Sequence, residues 1–255
     1  HGPGPEESVI ADERLRPLST VDRNRYSRNI LVPEVCAAGQ RRIRAARVML
    51  VGAGALGSPA ALYLAAAGVG SLGIIDDDDV DVTNLQRQVL HTMPDVGLAK
   101  VESARRAVKD LNPDVEVVAH REALTSRNAL EVLEGWDVVI DGTDNFPTRY
   151  LVNDACVMLG TPLVHGAVFR SDGQVAVFDA RRGPCYRCVH PTPPDPGAVP
   201  SCAEGGVLGV MPGIVGTMQA AEALKLVVGG ARPLIGRMML FNVWAGRGSE
   251  LTIRK

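Results

Sequence analysis

The feature that most constrains this chain is a run of glycines, Gly52-Ala-Gly54-Ala-Leu-Gly57, between an aliphatic segment over 47–51 and an alanine-rich stretch over 56–67. A β-branched and aliphatic run that stops at glycine reads as a buried parallel strand. The stretch after it reads as a helix closed by Gly68, and a second buried strand over 71–76 ends in carboxylates. Strand, glycine turn, helix, strand is one βαβ unit, whose turn brings backbone N–H groups and a helix N-terminus close to a phosphate. Gly52, Gly54, Ala55 and Gly57 are therefore candidate phosphate-contacting positions. Asp76, at the next strand end, is placed to accept hydrogen bonds from ribose hydroxyls. The turn alone does not name the nucleotide, because NAD and ATP both fit it.

The alternation continues with helices expected over 100–111, 127–133 and 148–159 and strands over 115–118 and 137–141. That order predicts an α/β fold with a doubly wound, mostly parallel, Rossmann-like sheet. After Pro162 the pattern changes. Segments 162–170 and 174–179 read as antiparallel strands around a Ser171-Asp-Gly173 hairpin turn. A proline-rich extended segment over 189–200, a helix over 213–228 and strands over 237–243 and 250–253 follow. We expect one domain over 17–255, with a nucleotide-binding half over about 46–160 and an antiparallel, loop-rich, partner-binding half over about 161–255. His1-Gly2-Pro3-Gly4-Pro5 reads as an expression remnant, and the polar stretch from it to Arg16 is expected to be disordered.

Composition narrows the classes of function. The formal net charge is −2, so nothing demands nucleic acid or a membrane surface as partner. Apolar runs are too short and glycine-broken to span a bilayer. Five cysteines, an odd number with one close pair, do not resemble a secreted disulfide framework, and a cytoplasmic location is expected.

The residues beyond Asp76 favour ATP over NAD. Asp76-Asp-Asp78-Asp is followed by Thr83-Asn84-Leu-Gln-Arg87-Gln and then Lys100. An α-phosphorus under attack needs cations such as Arg87 and Lys100 to offset charge on its oxygens and on pyrophosphate. Asp141-Gly-Thr-Asp144-Asn145 ends another strand, where open α/β sheets bind ligands. Asp144 is a hard oxygen donor suited to Mg²⁺. The competing reading is that Asp144 or Asn145 caps the next helix. Cys185-x-x-Cys188 has the spacing of half a tetrahedral Zn²⁺ site. A redox pair would instead sit at a helix N-terminus, and these cysteines lie in a loop after a hairpin. Cys36 and Cys156 read as structural, and His165 as core or near-site packing.

Arg25-Tyr-Ser-Arg28, the Gly52 motif, Asp76, Thr83-Asn-Leu-Gln-Arg87, Lys100, Thr143-Asp-Asn145, Cys185-Tyr-Arg-Cys188 and Ser201-Cys202 occur in the order found in the MoeB/ThiF family. The sequence resembles these bacterial relatives of ubiquitin-activating enzymes from about Tyr26 onward. It looks most like the molybdopterin-synthase adenylyltransferase branch, some of whose members carry a downstream rhodanese domain. The resemblance implies ATP- and Mg²⁺-dependent adenylation of the C-terminal Gly-Gly carboxylate of a ubiquitin-like sulfur-carrier protein by a homodimer. A sulfurtransferase is a further implied partner. It implies that Arg28 reaches the nucleotide of the other subunit, that Asp76 binds ribose and that Arg87 and Lys100 bind phosphates. Asp144 becomes the magnesium and catalytic aspartate, and Asn84 lies in the nucleotide-contacting stretch. Cys202 matches a cysteine that some members link covalently to the carrier; the alternative for Cys202 is a small buried apolar residue. In the relatives a second CxxC completes the zinc site, and the present sequence lacks one up to Lys255. The competing functions are an NAD-dependent oxidoreductase and a non-catalytic carrier-binding scaffold.

Overall fold

The computed structural model describes residues 7–195 and 205–255. Eight strands form one sheet in the order β3-β2-β1-β4-β5-β6-β7-β8. They are β1 (Arg47–Val51), β2 (Ser71–Ile75), β3 (Glu116–His120), β4 (Val138–Asp141), β5 (Leu163–Phe169), β6 (Asp172–Phe178), β7 (Arg237–Asn242) and β8 (Arg247–Thr252). Strands β3 to β5 run parallel, and β5 to β8 pair antiparallel. The expected α/β, doubly wound sheet with an antiparallel continuation is what the chain forms. Because β5 is parallel to β4 and antiparallel to β6, both halves of the chain belong to one continuous sheet.

Between Arg47 at the start of β1 and Asp141 at the end of β4, the two central strands are apolar because both faces are covered. Val48 and Leu50 of β1 join one core cluster, with the Gly57–Ala67 and Val210–Val228 helices; Met49 and Val51 point into a second. The second cluster is closed by the Ala129–Leu133 and Phe146–Leu159 helices. No helix among the described residues is long and apolar enough to cross a membrane.

Several boundaries move for identifiable reasons. The β5–β6 turn is Arg170-Ser171, one residue earlier than Ser171-Asp-Gly173, with Arg170 at φ +54°. Gly173 is not a turn residue. It lies within β6, where an added Cβ would meet Met211, Val215 and Phe241 at 2.8–2.9 Å, so its smallness serves packing. The helix expected from residue 148 begins at Phe146, because Asn145 accepts from Thr148 N–H at 2.9 Å. The last helix begins at Val210, with Pro212 tolerated in its first turn.

The expectation of a disordered N-terminus fails for residues 7–16. Val9 N–H donates to Leu226 O at 3.0 Å, Ile10 is buried, and Arg14 pairs with Asp137. The segment hides its apolar residues against the last helix and the bottom of β1 despite its polar composition. Helices Thr20–Arg25, Ser27–Ile30 and Cys36–Ala45 follow. Tyr26 anchors the first two: it is buried, its hydroxyl accepts from Asn112 Nδ2 at 2.9 Å, and its ring fills the space where Gly68 has no Cβ. Cys156 is buried, and burial pushes its thiol well above the ordinary value. Cys36 departs from a structural role. It is exposed, and the N–H groups of Gly39 and Ala38 draw its thiol below the ordinary value.

If residues 7–16 are part of the folded body, Ile10→Ala removes a buried side chain and costs about 2–5 kcal/mol. The thermal midpoint then falls by roughly 2–4 °C per kcal/mol. Calorimetry checks this, and an unchanged midpoint would show that the segment adds nothing to the core.

Candidate functional site

Strand order reverses between β1 and β4, and a cavity of about 220 Å³ opens there at the C-terminal ends of β1, β2 and β4. The glycine turn forms its floor. Gly52 has φ +99°, and a Cβ there would sit 3.1 Å from Gly142 O. A Cβ on Gly57 would lie 2.0 Å from Gly52 O, so the helix can start this close to the strand only with glycine at that position. No side chain caps the Gly57–Ala67 helix, while Gly54, Ala55 and Leu56 line the cavity. An uncapped helix start of this kind is suited to an anion.

Asp76 lies on the cavity wall and accepts from Ala53 N–H at 2.8 Å and from Asp78 N–H at 2.9 Å. Burial raises its carboxyl above the ordinary range, against the opposing pull of Lys100. Lys100 is almost fully buried and donates to Asp78 at 2.7 Å. The carboxylates of Asp76, Asp77 and Asp78 all lie within 4.8 Å of one another. Arg87 also lines the cavity and is held by Thr83 O at 3.1 Å. Asp144 is exposed on the rim, with no hydrogen bond or ion pair among the described residues. The cap is therefore Asn145, and the Asp144 carboxylate stays available as an oxygen donor to a cation such as Mg²⁺.

Other candidate residues lie elsewhere. Thr83 and Asn84 do not line the cavity. Asp81 accepts from Thr83 N–H and Oγ1 at 2.8 and 2.6 Å, and Asn84 Oδ1 accepts from Asp81 N–H at 3.1 Å, closing a local turn. Arg28 is exposed and outside the cavity of its own chain. Cys202 lies outside the described residues. The Cys185 and Cys188 sulfurs are 3.7 Å apart, and Cys185 precedes the short helix Tyr186–Val189. The pair thus does sit at a helix start, contrary to the sequence argument that set a redox role aside. No third cysteine, histidine or carboxylate joins it among the described residues, so it supplies two zinc ligands and not a complete set.

Four residues were not foreseen as site residues. Gln88 is buried on the cavity wall, with Oε1 lacking a partner among the described residues. His91 buttresses the glycine turn, its ring nitrogens lying 2.9 Å from Ala53 O and 2.8 Å from Ser103 Oγ. Arg149 donates to Thr143 O at 3.1 Å and leaves a buried Nε unpaired. His165, expected to be packing, hydrogen-bonds Asp141 at 2.9 Å, and both side chains are buried. The nearest sequence signal was proximity to the Thr83–Arg87 and Asp141–Asn145 runs, and proximity does not say which side chains turn inward.

A second, larger cavity of about 910 Å³ runs over the exposed face of the antiparallel strands. Gln174, Leu240 and Asn242 lie along it, and it ends near Arg247-Gly-Ser249. Asp144, Arg149 and Val168 line both cavities, so the groove and the cavity at the glycine turn meet at these three residues.

Known proteins resemble this chain in sequence and in fold. The chain is 52% identical over 237 residues to the sulfur carrier protein adenylyltransferase of Thermus thermophilus, covering 91% of this chain and 88% of that protein. It is 50% identical over 228 residues to the adenylyltransferase and sulfurtransferase MOCS3 of Aedes aegypti, covering 89% of this chain. The present chain spans about half the length of that protein, 52%. A crystal structure of E. coli MccB with MccA-N7isoASN shares the fold, with a TM-score of 0.82 at 21% identity over 91% of this chain and 72% of that one. Residues 26–255, the stretch that carries the glycine turn, both cavities and the entire sheet, match the ThiF family, and the chain belongs to that family.

Proposed function

We propose that this protein uses ATP to adenylate the C-terminal glycine carboxylate of a small ubiquitin-like sulfur-carrier protein. Pyrophosphate leaves, and the acyl-adenylate is ready to become a thiocarboxylate. The observation that carries this reading is the junction of the two cavities: Arg87, Lys100 and Arg149 line the one at the glycine turn, which shares Asp144 with a groove of about 910 Å³ over the antiparallel strands. A hydride transfer requires neither the cations nor the groove. The activity for which the Thermus relative is named supports the substrate class.

The reacting carboxylate and the triphosphate are both anionic, so the protein's task is to hold them together and offset their charge. The uncapped helix start and the glycine-turn N–H groups receive phosphate oxygens. Asp76 keeps free acceptor capacity for ribose hydroxyls, since its two backbone bonds use only part of it. Lys100 and Arg87 face the phosphates, and Arg149 stands where the incoming carboxylate passes from the groove. Asp144 would hold Mg²⁺, which when bound offsets charge on the phosphate oxygens. The tail carboxylate attacks the α-phosphorus in line, and pyrophosphate departs. In a homodimer Arg28 would complete the neighbouring subunit's site, and a rhodanese-type sulfurtransferase would supply the sulfur afterwards.

Carrier-dependent exchange of labelled pyrophosphate into ATP is the direct measurement. Wild-type protein with Mg²⁺ and a Gly-Gly carrier should catalyse it, and Asp144→Ala should lose at least about a hundredfold in rate with an unchanged circular dichroism spectrum. No exchange from folded wild type would refute the activity, and a thermal shift with NADH but none with ATP and Mg²⁺ would favour an oxidoreductase.

The role of Arg28 in trans predicts complementation. Arg28→Ala and Asp144→Ala proteins, each inactive alone, should regain activity when their subunits are mixed, up to about a quarter of wild-type sites for random dimers. A mixture no more active than its components would place Arg28 outside the partner's site.

A further inference from the structure

The mechanism above leaves one buried polar chain unused. Asp141 Oδ1 accepts from Thr143 N–H at 3.0 Å and from Thr143 Oγ1 at 2.6 Å, fixing the turn that leads to Asp144. Its Oδ2 faces His165 Nδ1 at 2.9 Å, and both side chains are 1% exposed. On the far side of the ring, His165 Nε2 lies 3.4 Å from Gln174 Nε2. Gln174 is half-buried and lines the groove. The chain of groups thus runs from the foot of the Asp144 turn, beneath the sheet surface, to the groove floor. Tyr186 and Phe178 wall in the imidazole, with ring centroids 5.1 and 5.7 Å away.

The proton positions follow from these contacts. Burial raises the Asp141 carboxyl, but the hydrogen bonds from His165 and Thr143 and the nearby Arg149 guanidinium outweigh it and hold the group below its ordinary value. Burial pushes His165 below its ordinary value despite Asp141, which leaves a neutral ring. A neutral ring donating from Nδ1 to a carboxylate has a bare lone pair at Nε2. That lone pair accepts from an N–H of the Gln174 amide and repels its carbonyl. The amide is locked in one of its two flips, with Oε1 turned away from His165. Oε1 accepts no hydrogen bond among the described residues, and the cavity that Gln174 lines is the groove.

We infer that Gln174 is a specificity-determining acceptor for a main-chain N–H of the incoming tail, with Asp141 and His165 as the positioning residues that hold its carbonyl toward the groove. This rests on the proposed function, since it names how that groove recognises its substrate. An extended chain offers an outward N–H at alternate residues, and a fixed carbonyl on the floor selects a chain whose N–H arrives in register. The recognition needs no side chain from the tail, which suits a terminus made of glycines. The same Asp141 carboxylate braces both the Asp144 turn and the Gln174 reader, so the reading group and the catalytic rim are set by one anchor.

The test uses semisynthetic carrier proteins in which each of the last three amide links is replaced in turn by an ester, removing one N–H while keeping the terminal carboxylate. In pyrophosphate exchange with wild-type enzyme, one of the three esters should raise the carrier KM about three- to tenfold. The KM for ATP and the kcat at saturating carrier should stay within about twofold. Gln174→Met, similar in shape but without the amide, should raise the KM for the all-amide carrier by a similar factor, and the sensitive ester should then add nothing. As a second readout, ¹⁵N histidine spectra of the folded enzyme should show His165 protonated at Nδ1 and bare at Nε2. Indifference of the wild type to all three esters, an undiminished ester penalty in Gln174→Met, or a protonated Nε2 would each overturn the inference while leaving adenylation intact. Absence of carrier-dependent exchange from wild type would overturn the adenylation reading and this one with it.

Discussion

Close approach of three glycines at the reversal of strand order is the constraint on which the rest of the site depends. Gly52, Gly57 and Gly142 come together where β1 and β4 end. A Cβ on Gly142 would meet Val51 O at 3.0 Å, Gly52 O at 3.1 Å and Gly57 N at 3.3 Å. A side chain at any of the three would push the Gly57–Ala67 helix off the end of β1 or push the Thr143–Asp144 turn away from it. The cavity is narrow because backbone meets backbone here. The uncapped helix start and the Asp144 turn share one small space for the same reason. His91 secures the arrangement from behind by fixing Ala53 O, which leaves the N–H of Ala53 to Asp76.

The charges around this turn break a local rule. Lys100 is the first residue of the Lys100–Leu111 helix, where the helix dipole disfavours a cation, and it is nearly buried besides. Asp78 offsets both costs through its side chain at 2.7 Å and through its carbonyl, which accepts Lys100 N–H at 2.9 Å. Val80 N–H and Gly97 N–H extend that clamp by bonding Leu98 O and Val80 O, each at 2.8 Å. A buried, paired lysine facing a phosphate-sized space is held in position before any ligand arrives, and preorganised charge of this kind is what anionic chemistry uses. Departures from local preference are expected at functional sites, where the surrounding structure compensates them.

How much of this was legible in the sequence depended on whether local spacing or tertiary contact sets the role of a residue. The placement of the glycine turn, Asp76, Lys100 and Asp144 around one cavity was readable because strand ends and helix starts fix where such residues lie. Thr83 and Asn84 neighbour Arg87 in sequence but, unlike it, do not line the cavity. Their side chains are taken up by the turn with Asp81, a local competition that composition does not reveal. Gln88 and His165 became important only through burial by elements distant in sequence. For His165 the partner, Asp141, is 24 residues away and reaches it only because β4 and β5 are paired in that register. The N-terminal segment looked polar and dispensable, yet two or three well-placed contacts, Ile10 and Arg14 among them, are enough to dock a short strand of chain.

The continuity of the sheet explains why the two cavities communicate. A nucleotide site at the end of parallel strands is common to many folds, and by itself it gives a second substrate no path of approach. Here β5 begins in register with β4, with Asp141 beside His165, and ends in register with β6, with Phe169 beside Asp172. One strand therefore carries the floor from the buried Asp141–His165 pair out to the groove. Its neighbours β6 and β7 widen that floor with Gln174 and Leu240, which lie directly opposite each other. Because the strands are rigidly paired, a chain lying along the groove has its end delivered to Arg149 and Asp144 at a fixed distance from the glycine turn. On the proposed reading, the antiparallel extension would do for the second substrate what the glycine turn would do for the nucleotide: set position through backbone geometry and leave the charged side chains to act on the reacting groups.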